Sequence, residues 1–288
     1  VTLLYQREAA LTLHDKRYRS SHYEGRALVP GFRIVFSVEH ALDADSCKAE
    51  IAIYNLNEAG RAKLSQTKRP RVVLEAGYAG DVGVIYSGEL SNVIHEQETT
   101  GWVTKIQSNT GSEAKRGILA ASLPPGATVA DAIEIVAKAL GVNATRAIAQ
   151  ARAGRFDGSV KKFFDGKTFS GLAADAMTEL GETLGFRWII QNGELVILRP
   201  NDLLPDEALV LGPRTGLIGA PKIVINETQG RKTKMVGAKI QLMPRVVVGR
   251  QLMFTSTAFP GVYRIARAHY VGDTESGEWA VDTESSLT

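Results

Sequence analysis

Phe32, Ile34, Phe36 and Val38 alternate with Arg33, Val35 and Ser37. A two-residue apolar period buries one face of an extended strand and does not fit a helix. The period returns at Ala49, Ile51 and Ile53 against Glu50, Ala52 and Tyr54. Further strands are expected at 71–76, at 84–90 continuing through 91–95, and at 101–108. Asn57 caps a short helical turn between them. Gly77, Gly80, Asp81 and Gly83 read as a glycine-rich turn. Short strands at close spacing predict a small β-barrel or sandwich.

The period changes at Leu123-Pro124-Pro125-Gly126, a stiff sequence that marks a boundary. Thr128 is placed to cap a helix whose Ile133, Val136, Ala137 and Leu140 fall at helical spacing, and Gly141 ends it. Residues 144–156 fit no single pattern, and 157–166 read as loop or strand. Ser170 is expected to cap a second helix carrying Leu172, Ala173, Ala176, Met177 and Leu180. Two strands, 186–191 and 194–198, flank Asn192-Gly193, a strong hairpin signal. Beyond 200–205 the chain returns to strands at 222–227, 232–242, 249–255, 261–271 and 278–284. There is no short tandem repeat and no low-complexity tract. The expected organisation is a β domain over 1–122, an α+β domain over 123–205 and a β domain over 206–288. The fold class is therefore mainly β with an α+β middle.

Composition removes several classes. With 44% hydrophobic and 23% charged residues among 288, the chain is neither disordered nor collagen-like. Its one cysteine, Cys47, cannot make an intrachain disulfide, so a disulfide framework is excluded. No apolar run reaches the roughly 20 residues of a membrane helix, so no stable membrane association is expected. Residues 1–19 lack the apolar core of a secretory signal. A soluble protein folding in the cytoplasm is expected. Thirty-four basic against 31 acidic residues leave +3. The clusters Lys16/Arg17/Arg19, Lys68/Arg69/Arg71 and Arg231/Lys232/Lys234 are short and read as solvated loops, not a nucleic-acid face.

No catalytic, cofactor-binding or metal residues are expected. His14, His22, His40, His95 and His269 show no metal-ligand spacing, and His14 and His22 read as solvent-exposed or turn residues. No nucleophile elbow supports a serine triad. Gly212, Gly216 and Gly219 miss the dinucleotide spacing, and Gly77, Gly80 and Gly83 read as turns needing positive φ. Cys47 reads as structural despite Lys48 beside it, and Asp43 and Asp45 as turn caps. Trp102, Trp188 and Trp279 each fall in an expected strand, where packing outranks sugar stacking. No enzyme activity and no cofactor are expected.

The ordered segments "FRIVFSVEHALDADSCKAEIAIYNLNEAGRAKL" and "VVLEAGYAGDVGVIYSGELSNV" resemble the first domain of tailed-bacteriophage baseplate hub proteins. "TFSGLAADAMTELGETLGFRWIIQNGELVIL" resembles the helix and hairpin of their middle region. "TGLIGAPKI", "GRQLMF" and "GVYRIARAHYVGDTESGEWAVDTES" resemble their closing domain. The set spans nearly the whole chain in the expected order.

The resemblance implies two tail-tube-like β-barrel domains flanking the α+β insert. It implies a homotrimer whose six barrels join the six-fold tail tube to a three-fold spike or tail-tip assembly around a central channel. Implied partners are a tail-tube or distal tail protein and a spike or tail-fibre assembly. A tape-measure protein and DNA would pass through the lumen. The implied location is the virion tail tip or baseplate, with assembly in the host cytoplasm. The family offers no catalytic residues, and this sequence shows neither a lysozyme-like insert nor a long C-terminal spike. The alternative is a tail-tip carbohydrate-binding or hydrolytic β protein acting on the host surface. A bacterial secretion-system hub would share the same architecture.

Overall fold

Burial alternates where the apolar period predicts it. Ile34, Phe36, Val38 and His40 face inward along one strand, and Ala49, Ile51 and Ile53 along the next. In the computed structural model, residues 6–13, 16–24, 27–41, 47–66, 70–99, 101–110, 116–154, 162–163, 165–199, 207–228, 231–256 and 258–287 are described. The chain forms two compact units, one of them Thr110–Asp202 and the other built from the chain on either side of it.

The flanking unit begins with β1 (Arg7–Leu13), β2 (Lys16–Arg19), β3 (His22–Glu24), β4 (Ala27–Val29), β5 (Ile34–Ala41) and β6 (Lys48–Tyr54). There follow α1 (Glu58–Gln66), β7 (Arg71–Tyr78), β8 (Asp81–Glu98) and β9 (Gly101–Asn109). The Thr110–Asp202 unit holds β10 (Ile118–Leu123), β11 (Ala127–Thr128), α2 (Val129–Leu140), α3 (Thr145–Arg152) and β12 (Lys162–Phe163). It continues with β13 (Lys167–Leu172), α4 (Ala173–Leu184), β14 (Arg187–Gln191) and β15 (Glu194–Leu198). The flanking unit then resumes with β16 (Leu209–Leu211), β17 (Leu217–Thr228), β18 (Arg231–Gln241), β19 (Gln251–Phe254), β20 (Val262–Asp273) and β21 (Trp279–Leu287). The molecule is mainly β with an α+β region, as the periodicity predicts.

One sheet runs through the flanking unit in the order β17-β18-β21-β20-β5-β6-β9-β8-β7-β1-β2, with β16 and β19 attached beside β20. That order contains the same arrangement twice. β17-β18-β21-β20 and β5-β6-β9-β8 are each an N-terminal hairpin followed by a C-terminal hairpin in reverse order. The repeats meet where β20 pairs antiparallel with β5. Registers match in detail. β8 carries a bulge between Leu90 and Asn92 against β9, and β20 one between Ile265 and Arg267 against β21. Before its bulge, each strand pairs with a separate partner, β7 or β19. Counting from the bulges, Trp102 of β9 corresponds to Trp279 of β21, and Ser108 to Ser285. The sequence shows no tandem repeat because few side chains coincide and the Thr110–Asp202 unit separates the copies.

In that second unit, Thr128 caps α2. Its hydroxyl accepts from the Asp131 N–H, while the Asp131 carboxylate accepts from the Thr128 N–H at 2.8 Å, a capping box. Gly141 closes the helix at φ 68°. The unpatterned stretch 144–156 contains α3. The Asn192-Gly193 turn has both residues at positive φ, 54° and 81°, as a two-residue hairpin requires. Ile133, Met177 and Leu195 are fully buried at the centre of this unit.

Two local expectations are corrected. Ser170 does not cap α4; it lies in β13 opposite Ala120, and the first helical N–H, of Ala173, donates to Gly117 O instead. Pairing across 50 residues outweighs a local cap. Of Gly77, Gly80 and Gly83, only Gly80 sits at positive φ, 87°. Gly77 and Gly83 lie in strands, where a Cβ would meet the Asp81 carbonyl at 2.1 Å and Pro244 at 2.9 Å. Those two provide close approach instead of a turn.

Candidate functional site

The described histidines scatter instead of converging. His22 is buried, with Nδ1 3.1 Å from Ser20 O, which corrects the expectation of an exposed residue. His40 is buried in the sheet, its Nε2 2.9 Å from Ile85 O. Burial, opposed by that backbone bond, pushes its pKa down to about 4. His95 joins Ser65 Oγ at 3.0 Å to Thr104 Oγ1 at 3.0 Å, and burial lowers its pKa. The bonds pin α1 to the β8–β9 hairpin. His269 meets Ser37 Oγ at 2.8 Å across the β20–β5 joint. His14, Asp43 and Asp45 lie outside the described residues. Among the described residues no three His, Cys, Asp or Glu side chains form a metal-binding group. Cys47 is buried.

The tryptophans form no shared platform. The Arg61 guanidinium covers Trp102 at 4.1 Å. Trp188 donates from Nε1 to Thr178 Oγ1 at 3.3 Å and packs on the second unit's core. Trp279 is buried against Phe36 and Tyr78, with Arg7 5.7 Å from its ring. A sugar face needs an open ring, and these rings have neighbours.

What the fold leaves open is strand edge. β17 ends the sheet, and its hairpin with β18 overruns β21, which pairs only with 236–241 of β18. Ile225 on that overrun and Ile223 just before it are 65% and 52% exposed. Pro221 lies in the bulge between Ile218 and Lys222, a position without an N–H to offer a ladder. Along β8, β7 pairs only up to Glu89. Residues 92–98 pair with β9 on one side and, among the described residues, with no strand on the other. Ile94 there is 40% exposed. Sequence periodicity located these strands but carried no signal of which edges stay open.

No helix among the described residues is long and apolar enough to cross a membrane. No protein-family model and no curated protein matches the chain. The fold itself has relatives: it is the fold of bacteriophage tail proteins and of a related secretion-system component. The 43 kDa tail protein of prophage MuSo2 from Shewanella oneidensis superposes with a TM-score of 0.61 at 10% identity, over 98% of this chain and 97% of that one. A tail protein from Neisseria meningitidis MC58 gives 0.60 at 8% identity, over 98% and 96%. The E. coli c3393 protein gives 0.57 at 10% identity, over 96% and 76%. It is described as a component of the type VI secretion system with structural similarity to T4 bacteriophage tail proteins.

Proposed function

We propose that the chain is a structural tail protein, a baseplate hub joining a six-fold tail tube to a three-fold spike or tail-tip assembly around a central channel. The observation that carries the reading is the doubled strand order in one sheet. Three copies of a chain with two equivalent repeats present six equivalent units to a tube, yet only three to a spike. Symmetry conversion then needs no moving part and no catalytic residue. Ring closure of identical chains is the usual economy of such assemblies.

In this reading the chain is organised as 1–122, 123–205 and 206–288, with one repeat in the first segment and one in the third. Its partners are further copies, a tail-tube or distal tail protein, and a spike or fibre assembly. A tape-measure protein and DNA pass through the lumen, and the protein resides at the virion tail tip after assembly in the host cytoplasm. The secretion-system neighbour supports the same architecture in a bacterial setting. The carbohydrate-binding alternative draws no support from the three tryptophans, whose neighbours occupy them.

Light scattering over a concentration series tests the reading. A mass of three chains that holds on dilution is expected. A stable dimer, or a chain that stays monomeric at every concentration, overturns it.

A further inference from the structure

The duplication leaves one joint used and its counterpart open. After its bulge, β20 leaves β19, and Arg267–Asp273 pair antiparallel with β5. The equivalent seven residues of β8, Asn92–Glu98, leave β7 after the equivalent bulge and have that same edge open among the described residues. The equivalent of β5 is β17, which ends the sheet. Both halves of a second such joint are therefore present in every chain, on strands separated by β18, β21, β20, β5, β6 and β9.

Burial marks what is missing. Val38 and His40 of β5, at the used joint, are 0% and 2% exposed. Counting from the hairpin registers, Ile223 and Ile225 hold the same positions in β17 and are 52% and 65% exposed. Apolar side chains at positions that the other repeat buries, on an edge unpaired among the described residues, form a template for another strand.

We propose that β17 of one copy pairs antiparallel with residues 92–98 of the next copy, in the register of the internal joint. The proposal rests on the ring reading above and names the surfaces that close the ring. The register follows from the repeat. Ile225 lies opposite Val93 as His40 lies opposite Ala268, and Ile223 opposite His95 as Val38 opposite Tyr270. Val224 lies opposite Ile94 as Glu39 opposite His269, and Lys222 opposite Glu96 as Ser37 opposite Val271. Two apolar pairs and one oppositely charged pair result, the combinations that favour cross-strand pairing. Charge agrees more widely. Residues 92–98 carry Glu98 and Glu96, the latter also paired with Lys105 of β9 at 2.5 Å, while the facing hairpin carries Lys222 and Lys234. The contact joins unlike edges, so it is heterologous and propagates around a closed ring.

Paired cysteines test it in the full chain. With Cys47→Ala to remove the native thiol, Ile94→Cys combined with Val224→Cys places two thiols opposite each other across the proposed joint. Mild oxidation is expected to give a disulfide ladder that ends at three chains on a non-reducing gel. The offset pair Ile94→Cys with Ile218→Cys is expected to give none. Independently, Lys222→Glu is expected to lose the oligomer in light scattering, and adding Glu96→Lys to restore it. A three-chain mass without the directed disulfide overturns this edge pairing while the ring stands. A chain that is monomeric and uncrosslinked at every concentration overturns both.

Discussion

Trp102 and Trp279 occupy one register position in two copies of the same strand arrangement, and each carries an arginine on its ring. Arg61 lies 4.1 Å from the first and Arg7 5.7 Å from the second. The two differ in depth: Trp279 is 4% exposed and sits between Phe36 and Tyr78. Trp279→Ala is therefore expected to cost about 3–5 kcal/mol, the range for emptying a core aromatic site. Trp102→Ala is expected to cost less and to leave the fold intact. Urea denaturation of both variants checks the ranking. Glycan binding by the native chain that Trp102→Ala abolishes in a folded protein would instead support the carbohydrate-binding alternative.

Burial of His40 is expected to make the fold acid-sensitive. Its folded pKa of about 4 lies below the ordinary value of 6.5, so the unfolded chain binds more protons between those two values. Stability is full above pH 6.5 and falls as pH drops from 6.5 through 4. The gap corresponds to about 3 kcal/mol. Thermal melts between pH 7 and 4.5 are expected to show this slope, flattened in His40→Gln. Equal slopes in the two proteins would exclude His40 as the source.

Asp273 holds the β20–β21 connection. Burial works against its ionised form, but hydrogen bonds from Arg33 and from the Glu275 and Ser276 N–H groups outweigh that and hold its pKa below the usual carboxylate value. Its contribution is present above the unfolded pKa and is lost as pH falls through the folded one. Asp273→Ala at pH 7 is expected to cost about 1.5–3 kcal/mol, the range for bonds to a charged group. A shift in the urea midpoint reads it, and the same shift at pH 7 and pH 2 would contradict the ionic origin.

Thr128 anchors α2 in the inserted unit. Thr128→Ala removes the acceptor for the Asp131 N–H and is expected to cost about 1 kcal/mol. Thr128→Ser keeps the oxygen and is expected to stay near the native stability. Hydrogen exchange of the first-turn amides of α2 separates the two variants. Equal protection in both would show that the cap contributes nothing.

Sequence alone determined the local elements. The two-residue period at 32–38 and 48–54, the Thr128 and Gly141 ends of α2 and the Asn192-Gly193 hairpin all depend on neighbours a few residues away. So did the placement of an α+β segment between two β segments. Only the tertiary structure decided the rest. It chose β13 over a cap for Ser170, buried His22 and His40, and placed Arg33 on Asp273 across 240 residues. It also revealed that the flanking segments are two copies of one arrangement in a single sheet. The reason is physical. Period and capping are written in side chains, whereas which strands become neighbours is settled by backbone N–H and C=O groups that every residue shares. Two repeats can therefore keep the same ladder, bulges and open edges while few of their side chains coincide.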